Sequence, residues 1–255
     1  MNLKIISFNI RCRDDENGHS ISERAPRLAS IIYKHSPDII GFQECRPQWE
    51  EPLGRFFGEE YEMYNKYRNK TVDIESSPIL WKRDKFEFIK SGYFWLSDTP
   101  EIESRGWDEL FNCFRMCVYV ILKEKISGKM FTVMNTHFGF GDFGQVESAK
   151  LVYNYSKKVS NFPTFVVGDF NMNMESPGYA EIVKHFTDVN AVTEKDFRDT
   201  YHGYDVSKKR NQHIDYCFVD NKITPVSQKI LDETFEGKFP SDHFGLLINV
   251  AINNE

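Results

Sequence analysis

Residues 164–171, Thr-Phe-Val-Val-Gly-Asp-Phe-Asn, run an apolar stretch straight into an acid and an amide. Residues 164–168 are short, apolar and β-prone, and they read as a buried strand. Strand side chains alternate faces, so Asp169 and Asn171 are expected to leave its end on one side. The same arrangement recurs elsewhere. Thr132-Val133-Met134 runs into Asn135-Thr136-His137, pairing Asn135 with His137. Ile5-Ile6-Ser7-Phe8 runs into Asn9, and Ile39-Ile40-Gly41-Phe42-Gln43 into Glu44. In the reverse sense, His213 and Asp215 open a strand, and Ser241-Asp242-His243 precedes the last one. Alone, each is ordinary, because Asn and Asp form turns. Repeated at the ends of separate strands, they point to one site, since strand-end loops on a rigid scaffold carry function.

Outward from these motifs the chain alternates helix and strand. A strand is expected at 3–10, and a helix at 22–35 with Ser22 as cap and Pro37 as stop. A buried strand follows at 38–42 and a second helix at 49–57. The middle is strand-rich, at 61–66, 78–82, 86–94, 114–122 and 130–136, with Ser127-Gly128 as a turn. Helices are expected at 146–159 and from Pro177 to Phe186, and further strands at 213–219, 226–231 and 246–252. No linker or repeat divides the chain, so 1–255 reads as a single mixed α/β domain, neither a clean β-α-β series nor all-β.

Composition narrows the function. The 255 residues are 40% hydrophobic and 27% charged, ordinary for a globular chain, and the 22 phenylalanines are mostly core. The net charge of −6 lacks the basic excess with which proteins grip long nucleic acid. It favours a small or short phosphorylated substrate. No apolar run approaches the roughly 20 residues that span a bilayer. Met1-Asn2-Leu3-Lys4 leads straight into a strand rather than a secretory leader. The five cysteines form no zinc-type C-x-x-C pair and read as reduced thiols, so a cytoplasmic location is expected. No obligate protein partner is evident.

Carboxylates gathered at one place repel unless a cation joins them. A hard ion such as Mg²⁺ takes oxygen ligands and needs one or two carboxylates. It neutralises phosphate charge and the leaving oxygen, while amides place water and histidines donate to developing charge. No Walker loop, serine elbow or zinc spacing competes. Residues 139–144 (Gly-Phe-Gly-Asp-Phe-Gly) lack the Lys-Ser/Thr of a phosphate loop and are expected as a flexible loop beside His137. Phosphate-ester hydrolysis is the chemistry these residues fit.

The motifs SFNIR (7–11), GFQE (41–44), NTHF (135–138), GDFN (168–171), HIDY (213–216) and SDH (241–243) stand in an order that resembles the endonuclease/exonuclease/phosphatase family across nearly the whole chain. Residues 92–100, GYFWLSDTP, resemble a bacterial-type subgroup of undefined substrate. The resemblance implies an α+β four-layer sandwich, two packed and mostly antiparallel β-sheets flanked by helices. It implies Glu44 as the principal ligand of Mg²⁺ or Mn²⁺, with Asn9 and Asp242 as direct or water-mediated ligands. Asp169 would orient or deprotonate the attacking water, and Asn171 would help place it. His137 would contact the phosphate, and His243, oriented by Asp215, would stabilise the transition state. Arg46, Arg115 and His202 are added as substrate contacts, since Arg suits bidentate phosphate binding. Trp95 and Trp107 either stack on a substrate base or close the core. The expected substrate is a phosphorylated small molecule, a lipid headgroup or a short nucleic acid. The alternatives are a nuclease of short or single strands and a catalytically silent phospho-ligand-binding protein. Because all eight implied catalytic positions carry the expected residue type, the enzyme is favoured.

Overall fold

A computed structural model describes residues 1–72 and 74–253. Its strands are β1 (Asn2–Asn9), β2 (Ile39–Gln43), β3 (Tyr61–Tyr64), β4 (Ile79–Lys82), β5 (Phe86–Trp95), β6 (Met116–Glu124), β7 (Met130–His137), β8 (Thr164–Asp169), β9 (Thr187–Asp188), β10 (Asp215–Val219), β11 (Ile223–Leu231) and β12 (Gly245–Ile252). The helices are α1 (Ile21–His35), α2 (Glu50–Phe57), α3 (Asp142–Val159), α4 (Pro177–Ile182) and the single turn α5 (Val189–Val192), with a 3₁₀ turn at Pro47–Trp49 before α2.

The strands form two six-stranded sheets, β11-β12-β1-β2-β4-β3 and β5-β6-β7-β8-β10-β9. Each is mostly antiparallel with one central parallel pair, β1 with β2 and β7 with β8. Strands whose residues are buried on both sides, such as β2 and β8, must be apolar throughout. Between the sheets lie Ile5, Ile39, Val133, Phe165, Val167 and Leu246, among others. The outer face of the first sheet packs on α1 and α2 through Leu28, Ile32, Trp49 and Leu53. The outer face of the second packs on α3 and α4 through Val152, Tyr155 and Ile182. The result is the expected four-layer sandwich. No helix among the described residues is long and apolar enough to cross a membrane.

Several boundaries differ from expectation for local reasons. Helix α1 is capped by Ser20 rather than Ser22, because the Ser20 N–H donates to the Glu23 carboxylate three residues on. Helix α3 starts at Asp142, so half of the expected glycine-rich loop is its first turn. Gly141, at φ +103°, makes the entry, and the acidic Asp142 suits the positive end of the helix. Helix α4 stops at Ile182 rather than Phe186. The N–H groups of Lys184 and His185 reach back only three residues, and this tighter path drops Phe186 into the core. Strand β10 starts at Asp215, leaving His213 outside it.

One glycine sets the spacing of the sheets near the site. A Cβ on Gly41 would lie 2.8 Å from Val167 Cγ2 and 3.1 Å from the Asn135 amide carbon on the opposite sheet. Gly41→Ala is therefore expected to destabilise the protein by about 1–3 kcal/mol, the usual cost of overpacking. Urea unfolding measures it, and an unchanged midpoint would show that the sheets separate freely here.

Candidate active site

Chain direction explains where the polar residues gather. The parallel pairs β1/β2 and β7/β8 all end at the same edge of the sandwich, so Asn9, Glu44, His137 and Asp169 arrive there from strand C-termini. Strands β10 and β12 run antiparallel to their neighbours β8 and β1, so their contributions precede them: Asp215 opens β10, and Asp242 and His243 stand just before β12. Register completes the alignment. His137 pairs with Asp169 across the parallel ladder, and Asp215 pairs with Asp169 across the antiparallel one. Three polar side chains thus stand in a row on adjacent strands.

Asp169 Oδ2 is the point of convergence. It accepts from Asn9 Nδ2 at 2.9 Å, and His137 Nε2 and His243 Nε2 lie 3.6 and 3.7 Å away. Its Oδ1 accepts the Asn171 N–H at 2.9 Å. The same Asn9 amide donates to Glu44 Oε1 at 3.1 Å, and the Cys12 N–H donates to Glu44 Oε2 at 2.9 Å. Behind the row, His243 Nδ1 meets Asp215 Oδ2 at 2.9 Å. Asp242 lies 3.6 Å from Arg11 Nε. Asn171 lines the cleft through a turn at φ +49° rather than by strand alternation, and its Nδ2 donates to Phe138 O at 2.9 Å. Glu44 and Arg11 also hold left-handed backbones, at φ +60° and +62°. Such conformations cost energy in non-glycine residues and cluster at functional sites.

Burial and neighbouring charge separate the titrating groups. Burial, aided by the Asp215 carboxylate, pushes the Asp169 carboxyl up to about 7. Burial and the Arg115 guanidinium hold His137 well below its ordinary value. Burial alone would lower His243 too, but the Asp215 carboxylate bonded to it, with Asp169 and Asp242, raises it to about 10. The cleft therefore holds a neutral imidazole, a cationic one, and a carboxyl poised between them.

These residues floor a cleft of about 630 Å³, within the range of small-molecule sites. Arg46 and Arg115 line it as expected. His202 does not: its Nδ1 accepts the Tyr204 N–H, and its ring packs 4.2 Å from Phe244 and 4.7 Å from Phe239, outside the cleft lining. Asn135 also parts from His137. It is fully buried, donating to carbonyls of Phe42, Ser77 and Pro78 and accepting from Gln43, and so ties sheet to sheet. Trp95 closes the inter-sheet core, and Trp107 bonds Asp98; neither lines the cleft.

Two donor sets suit a metal. Glu44, Asp242 and Asn9 supply oxygens at one place, the chemistry a hard dication takes. Asp169, Asp215 and His243 also bring ligand atoms within 4.8 Å of one another. In that second set His243 Nδ1 and Asp215 already bind each other, so the all-oxygen set is the better fit.

Sequence reading missed Arg24. Its fully buried guanidinium donates to the carbonyls of Ile10, Arg11, Arg13 and His19, and lies 3.5 Å from Pro240 O. It ties the loop after β1, which carries Arg11 and Cys12, to the loop that carries Asp242 and His243. The available signal was its place on the buried stripe of α1, four residues before Leu28. Glu75, Arg68 and Asp108 were missed as well, because loops carry no periodicity.

Comparison with known proteins agrees with this geometry. An endonuclease/exonuclease/phosphatase family protein of Bacteroides thetaiotaomicron is 27% identical and superposes with a TM-score of 0.91, covering 100% of this chain and 99% of that one. The mannosyl-6-phosphatase of the same organism is 28% identical, with a TM-score of 0.89 over 98% of this chain and 99% of that one. TDP2 of D. rerio, complexed with a single-strand DNA product, shares the fold at 16% identity, with a TM-score of 0.77 over 98% and 99%. The model of the Endonuclease/Exonuclease/phosphatase family matches residues 6–243, a span that holds every residue of the row and of the cleft floor. With that match added to two packed sheets that bring Asn9, Glu44, His137, Asp169 and His243 to one edge, the chain belongs to the endonuclease/exonuclease/phosphatase family.

Proposed function

We propose that this chain is a divalent-metal-dependent hydrolase of phosphate esters on small molecules, with monoesters preferred over diesters. The observation that carries the reading is the convergence of Asn9, His137 and His243 on one oxygen of Asp169, a carboxyl raised to about 7. A base works best when its pKa lies near the operating pH. Asp169 would take the proton from the attacking water, with the Asn171 N–H and the Asn9 amide fixing the carboxylate. The water oxygen then bonds to phosphorus as the ester oxygen leaves. Neutral His137 would donate to a phosphoryl oxygen. His243, kept cationic by Asp215, would stabilise the charge that grows in the transition state. Glu44, with Asn9 and Asp242, would hold Mg²⁺ or Mn²⁺, whose charge neutralises the phosphate and the leaving oxygen.

Two further features favour a small monoester. The net charge of −6 gives no general attraction for long nucleic acid. The relative that shares 28% identity and nearly full-length superposition is a sugar phosphatase. The test is phosphate release from a sugar phosphate, a chromogenic monoester and a chromogenic diester, with single- and double-stranded oligonucleotides alongside. Monoester hydrolysis is expected with Mg²⁺ or Mn²⁺, lost on chelation and restored by either ion. Undiminished turnover in excess chelator would sink the metal assignment. Folded, metal-loaded protein that cleaves nothing would favour a phospho-ligand-binding role instead.

A further inference from the structure

The arginines of the cleft are placed unevenly. In the first sheet, β12 and β1 lie on one side of β2 while β4 and β3 lie on the other. In the second sheet, β6 flanks β7 on the side away from β8 and β10. Arg46 follows β2, Arg68 and Glu75 lie between β3 and β4, and Arg115 immediately precedes β6. The row from His137 to Asp215, with His243, falls on the β8/β10/β12 side. The basic residues therefore form one flank of the cleft, beside the reacting groups rather than among them.

This flank is built and oriented. Glu75 lies between two guanidiniums, 3.2 Å from Arg46 Nη2 through Oε1 and 2.6 Å from Arg68 Nη2 through Oε2. One carboxylate shared by two arginines leaves an excess of positive charge. Arg115 is gripped by Asp108, whose Oδ2 lies 2.9 Å from both its Nε and its Nη2. That leaves Nη1 of a side chain only 5% exposed with no hydrogen-bond partner, although Arg115 lines the cleft. A buried cationic donor left without a partner is costly, and such groups point to a ligand. The carboxylates hold the guanidiniums in place in advance, which reduces the entropy a ligand must overcome.

We propose that Arg46, Arg68 and Arg115, braced by Glu75 and Asp108, form a second anion-binding subsite, and that the substrate is a phosphate ester carrying a second phosphoryl group. The proposal rests on the hydrolase reading for its assay, but not for its geometry. One phosphoryl reacts over Asp169 between His137 and His243. The other is held on the arginine flank, where planar guanidinium forks suit phosphate oxygens.

The experiment compares fructose bisphosphate with fructose monophosphate, on the intact protein with Mg²⁺ and on Arg46→Met. The Arg46 side chain is 38% exposed, so the variant is expected to fold, and circular dichroism checks this. The intact protein is expected to favour the bisphosphate in kcat/KM by at least about tenfold, the loss expected for one charge-assisted hydrogen bond. In Arg46→Met that preference is expected to shrink to about twofold or less. Equal turnover of both esters by the intact protein, or a preference that survives the substitution, overturns the subsite. If neither ester is hydrolysed, the hydrolase reading fails and thermal shift decides the subsite on its own. A larger rise in Tm with the bisphosphate than with the monophosphate, lost in Arg46→Met, supports it; equal rises overturn it.

Discussion

Asp169→Asn is expected to leave the protein folded and to slow phosphate-ester hydrolysis by about 10³-fold, the scale of a lost general base. The substitution keeps side-chain volume and removes only the ability to take a proton. Asp169 sits in a position that makes this specific: both of its oxygens are occupied, one by the Asn171 N–H and one by the Asn9 amide. An amide in its place presents one NH₂ group to a neighbouring donor, a conflict that costs about 1–3 kcal/mol. Removing a buried acid from beside Asp215 offsets part of that cost. Steady-state phosphate release and urea unfolding on the same preparation separate the two effects. Activity within about tenfold of the parent, in a folded variant, would remove Asp169 from the role of proton acceptor.

Arg24→Met is expected to produce the largest loss of stability of any single change considered, about 3–5 kcal/mol, of the size seen when a buried charged group is removed from its partners. Methionine fills much of the arginine volume but cannot donate. The carbonyls of Ile10, Arg11, Arg13 and His19 would then be left without the guanidinium, in a region closed to water. Each unsatisfied buried carbonyl carries a desolvation cost of about 1–3 kcal/mol, partly relieved by local relaxation. The same loss releases the loop that supplies the Cys12 N–H to Glu44, so activity should fall at temperatures where the variant remains folded. Urea unfolding gives the first quantity, and assay well below the transition gives the second. A loss under about 1 kcal/mol would mean that water replaces the guanidinium.

The two results probe different levels of the same construction. Asp169 is legible from sequence because it belongs to a local pattern: an apolar run with a polar residue at its end, repeated from strand to strand. Arg24 belongs to no such pattern. Its role depends on carbonyls that are distant in sequence, and a buried arginine in a helix looks like any surface arginine until the opposing loops are in place.

The chain alone determined the elements and their ends, because hydrophobic period and turn chemistry are local. It also carried the sense of the site, with Asn9, Glu44, His137 and Asp169 after strands and Asp215, Asp242 and His243 before them. That order reflects strand direction, which packing then turned into a common edge. Where sequence spacing misled, tertiary contact was the cause. Asn135 stands two residues from His137 on the same face, yet it is taken up by the Phe42, Ser77 and Pro78 carbonyls of the opposite sheet. His202 is withdrawn behind Phe244 and Phe239, because aromatic packing, not charge, sets its place. Only the tertiary structure decided that His137, Asp169 and Asp215 share one register, that Glu75 joins Arg46 to Arg68, and that Arg24 closes two loops over one another. Each depends on the relative placement of strands and loops far apart in the chain, which is set by burial of the whole core rather than by any short stretch of sequence.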